Sequence, residues 1–267
     1  MSFQRDAFKQ INDMSNQLDD LVDVEIDVYR GIASLYLQLP GLVGYWPFSA
    51  ADRSSGNITD QSGNGKILTE GGDSVLNVDG IIPYADVDGV GDRFERADES
   101  DFDISGTETH IAPAIQGLTM GGWVYFSNTA SAAEYFMAKH NSAGNRSYYL
   151  RRSSTGFLQF IVSTNGTTEV SVVTTNTALV GTWFYFVGRF EPSTELAIFE
   201  NSNKTTNTSS VPADIFNSNA SFVIAAREAG ANAMTGRVSN CFLCAAYLSD
   251  AIIKNIFQLT KDAYGVE

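Results

Sequence analysis

The chain is poor in cysteine, histidine, proline and positive charge, with two cysteines, two histidines, six prolines and 17 basic residues among 267. Each scarcity narrows the reading. Cys241 and Cys244 stand three apart in a strand-like run, Asn240 to Ala245, so they point to opposite faces and suit neither a disulfide nor a shared metal. No second pair is present to complete a zinc site. Against 31 acidic residues the bases leave a net charge of -14, which repels phosphate backbones and anionic headgroups alike. Nucleic acid is excluded as a partner on that ground. No apolar run approaches the roughly 18 residues of a membrane-spanning helix, and the start, Met1 to Asp6, is too polar for a secretory leader. The expectation is a chain neither exported by that route nor inserted in a membrane.

The acidity is concentrated. Residues 52–108 carry fourteen acids and four bases, whereas residues 109–267 carry ten of each. Such a segment is either a solvated face or a place for a hard cation.

The first forty residues differ from the rest. Ile11, Met14, Leu18, Leu21, Val28, Ile32 and Leu35 recur at steps of three and four, interrupted at Glu25, as in a coiled-coil seam. The stretch Val22 to Val28 alternates strictly instead, which reads as a strand, so 22–39 stays open between helix and extended arm. Residues 1–40 are expected to be an oligomerising or anchoring segment, since the stripe needs either a partner chain or the body of the protein to cover it. After Pro40-Gly41 come about a dozen short alternating runs separated by turn dipeptides, among them Leu118–Phe126, Tyr135–Lys139, Ser147–Ser153, Trp183–Phe190 and Gly236–Leu248. Asn201–Ser210 reads as a hairpin loop, and Ser249 as the cap of a closing helix from Ala251 to about Lys261. The fold class is all-β: an antiparallel two-sheet sandwich over 41–267 with the leader in front. Trp46, Trp123 and Trp183 lie in alternating apolar strands and are expected in its core.

The order of motifs, Tyr45-Trp46-Pro47-Phe48, Asp60 to Gly65, Val87-Asp88-Gly89, Gly121 to Val124, Gly181 to Tyr185, then a Gly236-to-Ser249 strand and a helix, resembles the laminin G-like, concanavalin A-like jelly roll. That resemblance implies the jelly-roll topology but leaves the ligand open. Some members hold calcium on loop oxygens, which makes Asp60, Asn64, Asp86, Asp88 and Asp92 the candidates here, with a solvated acidic face as the alternative. Sugar sites on such sandwiches combine aromatics with polar loop residues. Tyr135, His140, Asn145, Arg146, Tyr148 and Tyr149 offer that mixture, with Tyr149 and Arg151 on one strand face and Tyr148 and Leu150 on the other. A plain polar outer strand is the competing reading.

Relatives that cleave polysaccharides use paired carboxylates on one strand. The nearest string, Glu25 to Arg30, ends in Arg where that pattern has Glu and precedes the sandwich, while His110 and His140 lack a nucleophile and read as surface loop residues. No enzyme is expected, and no catalytic residue is assigned. A leader for assembly, no export signal, no disulfide and one displayed jelly roll together suggest a phage virion protein, of the head-decoration or tail-associated kind. It would be assembled in the host cytoplasm among other virion proteins, exposed on the particle, homo-oligomeric with a trimer favoured, with glycan adhesion as the alternative.

Overall fold

The structure, a computed structural model, describes residues 28–104, 117–142 and 144–267. A helix, α1 (28–37), precedes the strands. The first sheet contains β1 (Leu42–Trp46), β5 (Val75–Asp79), β6 (Ile82–Asp88), β8 (Leu118–Phe126), β13 (Trp183–Glu191), β14 (Glu195–Glu200), β15 (Asn203–Asn207) and β17 (Thr235–Cys244). The second contains β2 (Arg53–Ser54), β3 (Asn57–Ile58), β4 (Leu68–Gly71), β7 (Arg93–Arg96), β9 (Glu134–His140), β10 (Arg146–Arg152), β11 (Phe157–Ser163), β12 (Glu169–Thr177) and β16 (Phe222–Ile224). A closing helix, α2 (Asp250–Thr260), ends the fold, capped by the Ser249 side chain, which accepts from the Ile252 N–H. Among the described residues every strand pairing is antiparallel, and the orders are β15-β14-β13-β8-β17-β6-β5 and β12-β11-β10-β9-β16-β7-β4-β3-β2.

Two layers of packing follow from β13, whose nine residues are apolar almost throughout and nearly all buried. A strand with both faces covered reads as a continuous apolar run rather than an alternating one. Phe184, Phe186 and Phe190 enter the core between the sheets, with Trp46, Phe126 and Phe160. Trp183, Tyr185 and Val187 face the other way, under the helices, with Trp123. The three tryptophans are therefore buried as expected, but in two separate layers. At Gly188 a Cβ would come within 2.5 Å of the Phe160 ring, so β13 lies tight against β11 and no larger residue fits.

Strand β17 serves two neighbours in succession. Thr235 to Val238 pair with β6, and Cys241 to Cys244 pair with β1, with a register break against β8 between. Asn240 sits at the break with φ 48°, a left-handed conformation that Asn tolerates; its Oδ1 accepts from the Tyr45 hydroxyl at 2.5 Å and its Nδ2 donates to the Tyr264 hydroxyl at 2.6 Å. Beyond it Cys241 faces the inter-sheet core and Cys244 the helix layer, both free and buried.

The leader differs from expectation. Residues 28–37 settle as helix, and Ile32, Tyr36 and Leu39 pack on the first sheet beside Tyr45 and Phe242, with Tyr36 stacked on Tyr45 at 4.9 Å. The seam expected through Val28, Ile32 and Leu35 is not what this helix buries. Ile32 is turned to the chain's own sandwich, Leu35 is half-buried and Val28 exposed, because the nearest apolar surface is the outer face of the first sheet. Ile11, Met14, Leu18 and Leu21 lie outside the described residues. Asn203–Asn207, expected within a loop, is strand β15, paired residue by residue to β14. Among the described residues no helix is long and apolar enough to cross a membrane.

Candidate ligand-binding site

The outward face of the second sheet gathers most of the residues singled out for sugar binding. The β9–β10–β11 register sets Tyr149 between Ala138 and Ile161, and Arg151 between Tyr135 and Gln159, while Tyr148 and Leu150 turn into the core. This is the expected division of β10 between two faces. Rings of Tyr135, His140 and Tyr149 form a triad: 5.3 Å between the tyrosines, 5.4 Å from Tyr135 to His140, and 4.9 Å with 16° between planes from His140 to Tyr149. Arg151 lies over both tyrosine rings, at 5.8 and 5.5 Å, and its Nε donates to Gln159 at 2.7 Å. Glu169 on β12 accepts from the Tyr149 hydroxyl at 2.5 Å and from Arg146 at 2.6 Å. Asn145 accepts from the Asn219 N–H at the margin.

Two expectations are corrected here. The aromatic rings are not an exposed platform, because Tyr135, His140 and Tyr149 are each at most 5% exposed and cover one another. His140 is the last residue of β9 rather than a surface loop residue. What faces solvent is the polar layer above: Glu169 exposed, with Asn145, Arg146, Arg151 and Gln159 half-buried. Sequence reasoning missed Gln159, Glu169 and Arg227. The Asn165-Gly166 turn held the signal, since it fixes the β11–β12 register that brings Glu169 back to the end of β10.

Burial holds His140 down at about 4, with Arg227, Arg146 and Arg151 adding to the effect, and its Nδ1 is buried without a partner among the described residues. Unfolding returns the ring to an ordinary value near 6.5, so between those limits the unfolded chain binds the extra proton. The contribution of neutral His140 is complete above pH 6.5 and is lost as the pH falls toward 4. We expect about 2 kcal/mol to have gone by pH 5, several degrees of Tm. In His140→Phe, which preserves the stack, melting should lose that part of its pH dependence. An unchanged slope between pH 7 and 5 would place the imidazole in water.

The calcium candidates separate. Asp88 and Asp92 meet Asp73, with carboxylate oxygens within 4.8 Å of one another, on the wall of a cavity of about 450 Å³. Asp92 accepts from the Asp73 N–H at 2.8 Å and the Asp88 N–H at 2.9 Å. Burial raises its carboxyl above the usual range, against those backbone bonds and with the neighbouring acids contributing. Three such oxygens are ligands that a hard divalent ion takes. Asp60 and Asn64 are elsewhere and structural: Asp60 accepts from the N–H groups of Tyr45, Ser62 and Lys66, and Asn64 donates to the Leu42 and Val43 carbonyls. Asp86 lines the same cavity but is outside the trio, with its carboxylate 3.8 Å from Arg237. Of the glucanase-like string, Glu25 and Asp27 lie outside the described residues and Arg30 is exposed on α1, as His110 also lies outside them.

Comparison with solved structures agrees on the fold. The binding domain of Paraclostridial Mosquitocidal Protein 1 superposes with a TM-score of 0.62 at 13% identity, covering 81% of this chain and 52% of that one. The ligand binding domain of botulinum neurotoxin serotype D, in complex with N-acetylneuraminic acid, gives 0.63 at 11% over 85% and 52%. A structure of botulinum neurotoxin type C, whose cell entry is described as dependent upon interaction with two ganglioside molecules, gives 0.60 at 12% over 82% and 51%. The chain thus spans about half the length of these relatives, and identities so low speak for fold alone. Among curated proteins no sequence matches. The model of the concanavalin A-like lectin/glucanases superfamily matches residues 103–254, more than half of the sequence and most of both sheets. The chain belongs to the concanavalin A-like lectin/glucanase superfamily.

Proposed function

We propose that this chain is a carbohydrate-binding module that takes its sugar on the outward face of the second sheet. One observation carries the reading: Arg146, Arg151, Gln159 and Glu169 form an accessible polar layer fixed over a closed floor of Tyr135, His140 and Tyr149. Guanidinium, amide and carboxylate groups held this way match sugar hydroxyls with little further ordering. Three arginines act on His140 beside a single Glu169, so the face favours a sugar carrying a carboxylate. The relatives described with N-acetylneuraminic acid and gangliosides support the same class. A glycan array probed with the full chain should return acidic glycans. Arg151→Ala and Glu169→Gln, both at accessible positions, should each lower affinity at least tenfold with the melting temperature kept. An array blank at high protein concentration would end the proposal.

The virion role is a second reading, supported by the coiled-coil spacing of Ile11, Met14, Leu18 and Leu21. Helix α1 packs on the first sheet, so a leader anchored through it leaves the outer face of the second sheet pointing away. In this reading the assembly is a homotrimer docked among other virion proteins.

A further inference from the structure

Of the three tryptophans, Trp46 and Trp123 are fully buried, but Trp183 keeps 8% of its surface. That remainder opens on a cavity of about 460 Å³, lined also by Asp79 and Ile81 from the β5–β6 turn and by Asp262 and Tyr264 from the C-terminal turn. The volume falls within the roughly 300–1,000 Å³ of small-molecule sites. The indole is held before any ligand arrives: it stands at 69° to Tyr84, 61° to Tyr125 and 70° to Tyr264, with centroids 5.2 to 5.9 Å away. Tyr264 is fixed in turn by stacking on Trp123 at 3.9 Å and by the Asn240 amide.

The exposed rim of the indole beside two accessible carboxylates suits a pyranose. A C–H edge of the sugar meets that rim, and hydroxyls donate to Asp79 and Asp262. None of the lining residues is Lys, Arg or His, and the two carboxylates repel an acidic sugar. Lys261, 3.6 Å from Asp262, stands outside the lining. Two exposed carboxylates alone would hold a metal poorly. We propose that this cavity is a second sugar site, selective for neutral pyranosides and independent of the arginine face on the opposite side of the sandwich.

The full chain is titrated with methyl glycosides of glucose, galactose, mannose, N-acetylglucosamine and N-acetylneuraminic acid. Tryptophan fluorescence and saturation-transfer NMR follow binding. A neutral glycoside should give a saturable fluorescence change that Trp183→Phe removes, and Asp79→Asn and Asp262→Asn should weaken it at least fivefold. Both acids are exposed, so those variants stay folded whatever Trp183→Phe does. Arg151→Ala should leave this response untouched while weakening capture of acidic glycans at least tenfold, so either site can fail without the other. If no neutral glycoside binds up to about 10 mM, beyond the millimolar affinities of weak sugar sites, the inference is overturned. Binding undiminished in both Asp variants overturns it as well.

Discussion

A chain beginning at Gly41 is expected to lose most of its stability, while one beginning at Val28 keeps it. Ile32, Tyr36 and Leu39 are at most 7% exposed, and each buried side chain of this size contributes roughly 1.5–3 kcal/mol. Together they supply about 4.5–9 kcal/mol, against a total of roughly 5–15 kcal/mol for a typical folded domain. Their loss would also bare the apolar face around Tyr45 and Phe242, a patch prone to association. Denaturant unfolding of the two truncated chains decides the matter, and equal midpoints would mean that α1 only rests on the sheet. Light scattering on the same pair and on the full chain reads the virion proposal. A trimer only in the full chain supports the Ile11-to-Leu21 seam, and a full-length monomer removes it.

The second large effect concerns the buried pair beneath the polar face. Arg152 is 1% exposed and donates through Nε to Glu134 at 2.8 Å, through Nη1 to the Asn128 carbonyl at 2.7 Å and through Nη2 to Asn128 Oδ1 at 2.9 Å. Its guanidinium lies 3.9 Å from the centre of the Phe126 ring. Arg152→Ala strands the Glu134 carboxylate without its partner, and removing one member of a buried pair costs about 3–5 kcal/mol. Arg152→Met combined with Glu134→Leu should recover much of that loss, because no charge is then left unpaired. A double-mutant cycle by chemical denaturation measures the coupling, and simple additivity would show that the two groups are independently solvated. Glu134 and Arg152 directly neighbour Tyr135 and Arg151 in the chain, so the single variant should weaken glycan capture as well.

Alternation was enough to find the long strands. It divided β10 correctly and put Cys241 and Cys244 on opposite faces, while the hydroxyl of Ser249 ahead of an apolar run marked the cap. Weakly apolar edges escaped it: Asn203–Asn207 is polar because an outermost strand needs little packing, and β5 has mostly exposed side chains. The leader misled because a three-four spacing says which side of a helix is apolar but not what covers it, and here Tyr36 joins the buried side. At the candidate site the residue types were legible and their exposure was not. Whether Tyr149 is open to solvent depends on His140 and Tyr135 from another strand, a matter of register rather than composition. Of the acidic trio Asp88 and Asp92 were legible and Asp73 was not, since what brings it to them is the pair of backbone N–H groups, its own and that of Asp88, that Asp92 accepts.

The two thiols flank the central sheet from opposite sides, one against the companion sheet and one against the helices. Burial pushes both well above the ordinary thiol range, so neither reacts until its own compartment opens. They therefore act as a built-in pair of clocks: alkylation timed at Cys244 dates the peeling of the helical cover, and at Cys241 the parting of the β layers.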